Sequence, residues 1–387
     1  MKEARSIEES YVEEARLYAE EAIRVCTRCL LCLDACTVYR ATRDPRLSPV
    51  ARLFAGAKAL RGEKLSEDEV VSLYTCNLCG ACTYACPYAI EVLRVAHAAR
   101  IRLAERGVVP EELRRVREAG ARSGHSFLLD ASQAVRVLEK TAEELGVQVD
   151  GGDVLYVPSP FDTTLYPSLL RDTLTLLKRV AGDAVTVSSK AIDFGGNVGV
   201  DANSLTTALG MVERVIEAAD EAGARLIVLG ACGADAKLRI LLDKLGVRLE
   251  RRVVNLYEFL AERGYRLECR NCILYTSCTF ARLSEDRRLL ETTRAPPPRD
   301  KPPFTMCCGG GGGLNFLHSK PYSEIRSRVY RWRFERLARN ARGRPIIVPC
   351  VKCYTVFRHG ALLAKKPRYP LLLYPSVAVE RGSASQP

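Results

Sequence analysis

At 387 residues, 47% hydrophobic and 27% charged, the chain has room for two or three domains with a sizeable core. No apolar run reaches membrane-span length, and the opening MKEARSIEES holds neither an apolar signal core nor a twin arginine, so neither a spanning nor an exported protein is expected. Sixteen cysteines in that setting point to reduced thiols and metal ligation in the cytoplasm rather than to disulfides. The net charge of +12 suits nucleic acid, an anionic substrate or partner, or a charge-rich thermostable surface. Its arginines are scattered and no nucleic-acid fold signature accompanies them, so a nucleic-acid partner is not expected.

Residues 7–25 read as a helix, opened by a Ser6–Glu9 capping box and striped by Tyr11, Ala15, Tyr18, Ala22 and Val25. The helix delivers Cys26-x2-Cys29-x2-Cys32-x3-Cys36. A second capping box, Ser66 with Glu69, opens a short helix that ends near Cys76-x2-Cys79-x2-Cys82-x3-Cys86-Pro87. Each run puts four thiols into eleven residues. Structural zinc sites instead pair two short knuckles across a longer spacer. Three thiols at i, i+3 and i+6 reach three corners of one iron–sulfur cube, and the fourth ligates the cluster of the other run. Cys26, Cys29, Cys32 and Cys86 are thereby assigned to one [4Fe–4S] cluster, and Cys76, Cys79, Cys82 and Cys36 to a second. Thr37 follows Cys36 where the ferredoxin pattern, as at Cys86-Pro87, prefers proline. A third helix over 90–105 leaves the second run, so the pair sits among helices, as in an α-helical ferredoxin. Residues 107–150 read as a charged helical connection interrupted at Gly120 and Gly124.

From 153 onward short apolar strands alternate with amphipathic helices: Val154 to Val157, 165–180, Ala184 to Val187, 203–222 and Leu226 to Leu229. That alternation implies a parallel sheet. It also repeats. Ser159-Pro160 with Leu165 matches Ser277-Cys278 with Leu283, Phe194-Gly195-Gly196 matches Cys307-Cys308-Gly309, and Cys232-x2-Asp235 matches Cys350-x2-Cys353, at offsets of 118, 113 and 118 residues. A duplicated α/β unit follows, in which the second copy keeps the thiols. Cys278, Cys307, Cys308, Cys350 and Cys353 are the expected ligands of a third centre, each at a strand end, where open α/β sheets bind ligands. Adjacent Cys307 and Cys308 can bridge two irons or serve two halves of an opened cluster. Gly309 to Gly313 lets backbone approach sulfur or substrate closely, and no Gly-Lys-Ser/Thr makes it a phosphate loop.

Other residues stand apart from these sets. Cys232 reads as a buried remnant, and Cys269-x2-Cys272 is open between supplementing Cys278 and a structural role. His97, His125, His318 and His359 are unclustered and read as ordinary surface or core residues. Only His318, just past the glycines, is placed to donate a proton to a leaving thiolate. Lys352, between two expected ligands, either stabilises thiolates or an anionic substrate or is simply solvated. Ala295 to Pro303 reads as a stiff extended loop walling the site, and Arg381 to Pro387 as a disordered tail.

Two Cys-x2-Cys-x2-Cys-x3-Cys runs, followed by Cys278, Cys307-Cys308-Gly309 and Cys350-x2-Cys353, resemble the D-type heterodisulfide reductases, of the CCG-domain iron–sulfur oxidoreductase family. The iron–sulfur subunits of glycolate, lactate and anaerobic glycerol-3-phosphate dehydrogenases share the layout, and sulfite-reduction complexes have a related catalytic subunit. The resemblance covers nearly the whole chain. It implies an α + α/β protein: an α-helical ferredoxin domain over 1–125, a linker over 126–152, a degenerate first CCG-type α/β repeat over 153–268 and a complete second one over 269–387.

By the same resemblance the five cysteines would hold a noncubane [4Fe–4S] cluster where a disulfide is split, making the chain a subunit of an oxidoreductase complex. The first copy reads Pro160, Phe194, Gly195, Cys232 and Asp235 at the matching positions, so it should be a scaffold. The substrate would then be a disulfide or thiol other than the two-site heterodisulfide, such as one borne on a small carrier protein. The implied electron partner is a membrane cytochrome b-type or a flavin subunit, which would hold the chain at the inner face of the membrane. The alternative is an electron-transfer subunit of a flavin-linked dehydrogenase without disulfide chemistry.

Overall fold

A computed structural model describes residues 2–283, 289, 292–295 and 305–384. The first helix runs Lys2–Val25 and buries Tyr11, Ala15 and Ala22. It starts ahead of Ser6, which therefore lies inside the helix and caps nothing. The helix formers in Lys2–Arg5 carry the backbone bonds past it. The second capping box does form. Glu69 Oε2 accepts from Ser66 N at 2.8 Å and Ser66 Oγ from Glu69 N at 3.3 Å, opening Glu67–Tyr74. Helix Pro49–Leu60 is an addition. Its alanines and Gly56 give no polar stripe, because it is wedged between Lys2–Val25 and Val92–Glu105. Ser48 caps it, accepting from Ala51 N at 3.1 Å, and a Cβ on Gly56 would lie 2.7 Å from Val95 Cγ1.

Residues 107–150 hold helices Glu111–Ser123 and Ser132–Leu145. Gly124, at φ +72°, ends the first helix as expected. Gly120 interrupts nothing: it sits inside the helix, where a Cβ would meet Val198 Cγ2 at 2.6 Å. The expected linker also carries β1 (Gln148–Val149), which joins a five-stranded parallel sheet with β2 (Val154–Val157), β3 (Val185–Val187), β4 (Leu226–Leu229) and β5 (Arg252–Asn255), in the order β1-β3-β2-β4-β5.

Downstream come β6 (Tyr265–Glu268), β7 (Ile273–Leu274), β8 (Thr293–Arg294), β9 (Ile346–Val348), β10 (Leu371–Leu373) and β11 (Gly382–Ala384). β9 lies between β10 and β7, all parallel. In a separate sheet β6 pairs with β8 in parallel and β11 antiparallel. The part of the tail at Gly382–Ala384 is thus a strand rather than free coil, its backbone paired on the β6 edge. The proline stretch 296–303 lies outside the described residues. One buried cluster runs from Ala4 through the helical region to Phe194, Leu229 and Tyr322, so the helices and the five-stranded sheet share a core. Among the described residues, no helix is long and apolar enough to cross a membrane.

Candidate iron–sulfur centres

The two cysteine runs wind alike. Arg28 (φ 55°) and Leu30 (φ 64°) take left-handed conformations, and so do Leu78 (φ 46°) and Gly80 (φ 70°), fifty residues on. Alternating handedness turns successive backbone N–H groups inward, a concavity suited to anionic sulfur. Cys32 opens helix Cys32–Ala35, and Cys36 and Cys86 occupy equivalent extended positions just after the short helices. Burial, then Cys36, Cys26 and Cys86, push the Cys32 thiol up to about 12. Burial, then Cys79, Cys76, Cys36 and Cys32, push Cys82 up too. The third thiol of each run is thus within electrostatic reach of the fourth thiol of the other. Cys29 is exposed at the outer end, whereas Cys36 and Cys76 are buried.

The five downstream cysteines converge as one buried line. Cys278 precedes the π-helical turn Thr279–Leu283, and Cys350 is the N-cap of helix Val351–Leu363, which carries Cys353. Cys307 lies within hydrogen-bond reach of Cys278 and Cys308. The Cys353 thiol donates to Cys308 Sγ at 3.2 Å, and Cys350 reaches Cys353. Gly233 N donates to Cys350 Sγ at 3.3 Å and Gly309 N to Cys307 Sγ at 3.4 Å. Cys307 also meets Cys79 of the second run. Its thiol, donating to Cys278, lowers that thiol to about 6 against burial, helped by Lys237.

The glycine run admits the Cys76 loop as well as sulfur. A Cβ on Gly311 would stand 2.6 Å from the Asn77 carbonyl, and one on Gly312 (φ +60°) would land on the Cys76 carbonyl. With its amide turned to donate, Asn77 reaches the carbonyls of Gly309 (2.8 Å) and Gly311 (3.1 Å). Thr37 has a use that proline could not serve: its hydroxyl donates to the Cys307 carbonyl at 3.1 Å.

Buried cations surround the thiols, and the sequence carried no signal for them beyond a basic excess. Arg52 donates to Cys36 Sγ at 3.3 Å and to the Ser72 carbonyl at 2.9 Å. Arg100 bonds the carbonyls of Gly312 and Cys76, each at 2.7 Å. Arg282 donates to the Cys79 carbonyl at 2.9 Å, and Arg333 to those of Cys307 (2.9 Å) and Met306 (3.0 Å). Lys237 donates to the Leu78 carbonyl at 3.1 Å. Burial works against its charge, but Cys278, Asp201, Cys307 and Cys79 outweigh it and raise its pKa. Burying cations on neutral carbonyls is costly unless negative charge lies close by.

That charge is what thiolate-bound iron–sulfur clusters supply, and polar atoms await it. Among the described residues, Arg333 Nη1, Thr276 Oγ1, Ser277 Oγ and the Tyr330 hydroxyl are buried without partners, all on residues beside the thiols. The donor set, its charge and these orphaned atoms fit clusters at these positions. Among the described residues, no group of three or more His, Cys, Asp or Glu side chains is arranged to hold a single metal ion.

The remaining candidates fall elsewhere. Lys352 is not solvated: it is buried and ion-paired with Asp201, and after Asp201 the thiols of Cys232 and Cys350 favour its charge against burial. Cys232 is buried at the N-cap of helix Gly233–Lys244. Cys269 and Cys272 form a disulfide, so the cysteines are not uniformly reduced. The x2 spacing brings their Cα atoms within 5.3 Å, a reach that suits a bridge. His97 is buried between the Tyr11 hydroxyl (3.0 Å) and the Gly199 carbonyl (2.9 Å), and His125 bonds Thr163 Oγ1 at 3.1 Å. His318 and His359 line a cavity that no thiol among the described residues lines, and Arg326 reaches His318 Nδ1 at 2.9 Å.

Residues 22–90 match the family of 4Fe-4S dicluster domains. The chain is 29% identical over 244 residues to the Hdr-like menaquinol oxidoreductase iron–sulfur subunit of Archaeoglobus profundus, covering 54% of this chain and 43% of that protein. It is 28% identical over 243 residues to the Hdr-like menaquinol oxidoreductase iron–sulfur subunit 2 of Archaeoglobus fulgidus, with the same coverage. The chain thus spans less than half the length of these curated relatives. No solved structure matches it significantly. With a 4Fe-4S dicluster domain leading into an α/β region, the chain resembles the iron–sulfur, electron-transferring subunits of Hdr-like oxidoreductases.

Proposed function

We propose that the chain passes electrons through two [4Fe–4S] clusters to a noncubane cluster on Cys278, Cys307, Cys308, Cys350 and Cys353, where a disulfide is reduced or formed. The carrying observation is the unbroken line of thiols: Cys79 of the second run meets Cys307, which continues through Cys308 and Cys353 to Cys350. When bound, such clusters supply one-electron storage and an iron to which substrate sulfur can attach. The protein orients them: Asn77 and the glycines lock the Cys76 loop onto the Cys307 loop, Thr37 ties the end of the first run to the same loop, and the buried cations offset thiolate charge. Cys26, Cys29, Cys32 and Cys86 are assigned to the outer cluster, and Cys76, Cys79, Cys82 and Cys36 to the inner one.

The division into a domain over 1–125 and two repeats over 153–268 and 269–387 belongs to this reading. Two likenesses support it. β2-β4-β5 and β7-β9-β10 have the same order and direction. The N-caps Cys232 (φ −111°, ψ 121°) and Cys350 (φ −110°, ψ 120°) superpose in conformation. The relatives' name, menaquinol oxidoreductase, favours a quinol-linked membrane partner over a flavin one.

Anaerobic reconstitution, an iron and sulfide count, and EPR after oxidation with and without a thiol test the function. About 12 irons per chain with a thiol-dependent signal are expected, and Cys308→Ser should abolish that signal. About 8 irons with no thiol response would leave a two-cluster electron carrier without disulfide chemistry.

A further inference from the structure

The two cysteine runs wind alike but are covered differently. In the second run Thr75, Leu78, Gly80 and Ala81 are buried, and the Cys76–Asn77 backbone lies against the glycine run. Fifty residues earlier, large apolar side chains stand uncovered at the matching places. Val25 replaces Thr75 and is exposed. Leu30 and Leu31 replace Gly80 and Ala81 and are 51% and 55% exposed. After the fourth thiols the contrast repeats: Val38, past Cys36, is buried, whereas Tyr88, past Cys86, is 54% exposed.

These residues share one end of the molecule. Helices Cys32–Ala35 and Ala81–Ala85 pack on each other, and Cys32 is within electrostatic reach of Cys26 and Cys86. Of the eleven large apolar side chains exposed among the described residues, Val25, Leu30, Leu31, Tyr84 and Tyr88 fall here, interleaved with Cys26, Cys29, Cys32 and Cys86. Such clustering marks a contact surface.

Its chemistry says what it touches. The exposed residues of 24–31 and 84–89 include Arg24 and Arg28 and no carboxylate. Asp34, in the next turn, is paired with Arg40 at 2.8 Å. Leucines at a loop tip, tyrosines beside them and arginines without acids match the layers of a membrane surface. Aliphatic groups enter the acyl boundary, tyrosine rings stay at the interface, and guanidinium groups meet anionic headgroups. The net charge of +12 draws the whole molecule to the same surface.

We propose that this face rests directly on a bilayer containing anionic lipids, with Leu30 and Leu31 between the headgroups. The contact goes beyond the proposed electron path and needs neither a partner subunit nor disulfide chemistry.

The test is anaerobic co-sedimentation of the reconstituted full chain with vesicles of phosphatidylcholine alone or mixed with phosphatidylglycerol. Strong binding is expected only to the mixed vesicles. Leu31→Ser combined with Tyr88→Ser should weaken it about tenfold at unchanged iron content. Arg24→Glu, an exposed change at the end of the first helix, should also weaken it about tenfold, and it carries the test if the double variant loses iron. Leu362→Ser, at a side chain 59% exposed outside both runs, should change nothing. Three results overturn the lipid face: no vesicle binding, salt-sensitive binding indifferent to these substitutions in the runs, or equal weakening by Leu362→Ser. The first of them leaves the surface to a protein partner. The iron count and thiol-dependent EPR signal that test the five-thiol centre are independent of every one of these outcomes.

Discussion

Arg333 shows what the buried cations do. It is held between the rings of Tyr275 (5.5 Å) and Phe357 (5.8 Å) while it bonds the carbonyls on either side of the Met306–Cys307 peptide. Hydrogen bonds from a charged donor are each worth about 1.5–3 kcal/mol, and their loss leaves two buried carbonyls unpaired. Arg333→Met, which keeps most of the volume, should therefore cost about 3 kcal/mol in anaerobic guanidinium unfolding of the reconstituted protein. It should also lower the midpoint potential of the adjacent centre, because a nearby positive charge favours the reduced form. An unchanged unfolding midpoint would mean that Arg333 is only filling space. No periodicity marks such a residue in the sequence: Arg333 reads as one more arginine in a charged helix, and only the fold turns it inward.

At the scale of elements, the glycine run lets the second cysteine run meet the loop after Cys307 and Cys308. Gly311 and Gly312 let the Cys76–Asn77 backbone lie flat against the loop that follows Cys307 and Cys308, and Gly312 is left-handed as well. Gly312→Ala meets both penalties, a strained φ and a collision with the Cys76 carbonyl that no side-chain rotation relieves. The expected result is a loss of about 2 kcal/mol or more with unchanged far-ultraviolet circular dichroism, and iron missing from the inner and third sites. Full iron at unchanged stability would show that the loops need not touch. The spacing of Cys26 to Cys36 and Cys76 to Cys86 was legible as two matched ligand sets, and the strands at Val154 and Leu226 as a parallel sheet. Helix Pro49–Leu60 was not, because a helix buried among helices loses the polar face that gives the period away.

Across the whole molecule, the helical region and the five-stranded sheet do not keep separate cores. Buried side chains from Ala4 to Tyr322 form one continuous cluster, and Glu8 caps helix Leu205–Glu221, accepting from Leu205 N at 2.6 Å. Cooperative units follow contiguous cores. Calorimetry of the reconstituted protein should thus show one transition carrying the helical region and that sheet together. An early, separable melting of residues 1–125 would refute a shared core. The same arrangement leaves Cys29 exposed and Cys307 buried.

By itself the sequence determined the cysteine inventory and its spacing into two matched runs, since cysteine spacing is a local property that a tight turn converts directly into geometry. It also determined the α/β alternation, because strand and helix periods are local. Tertiary structure alone decided that Cys79 meets Cys307, that Lys352 is spent on Asp201, that Cys269 and Cys272 bridge, and that Arg326 and Tyr330 face one cavity. Two of these, Cys79 with Cys307 and Lys352 with Asp201, join residues far apart in the chain. Such meetings depend on how helices and sheets pack, and no period or spacing records them.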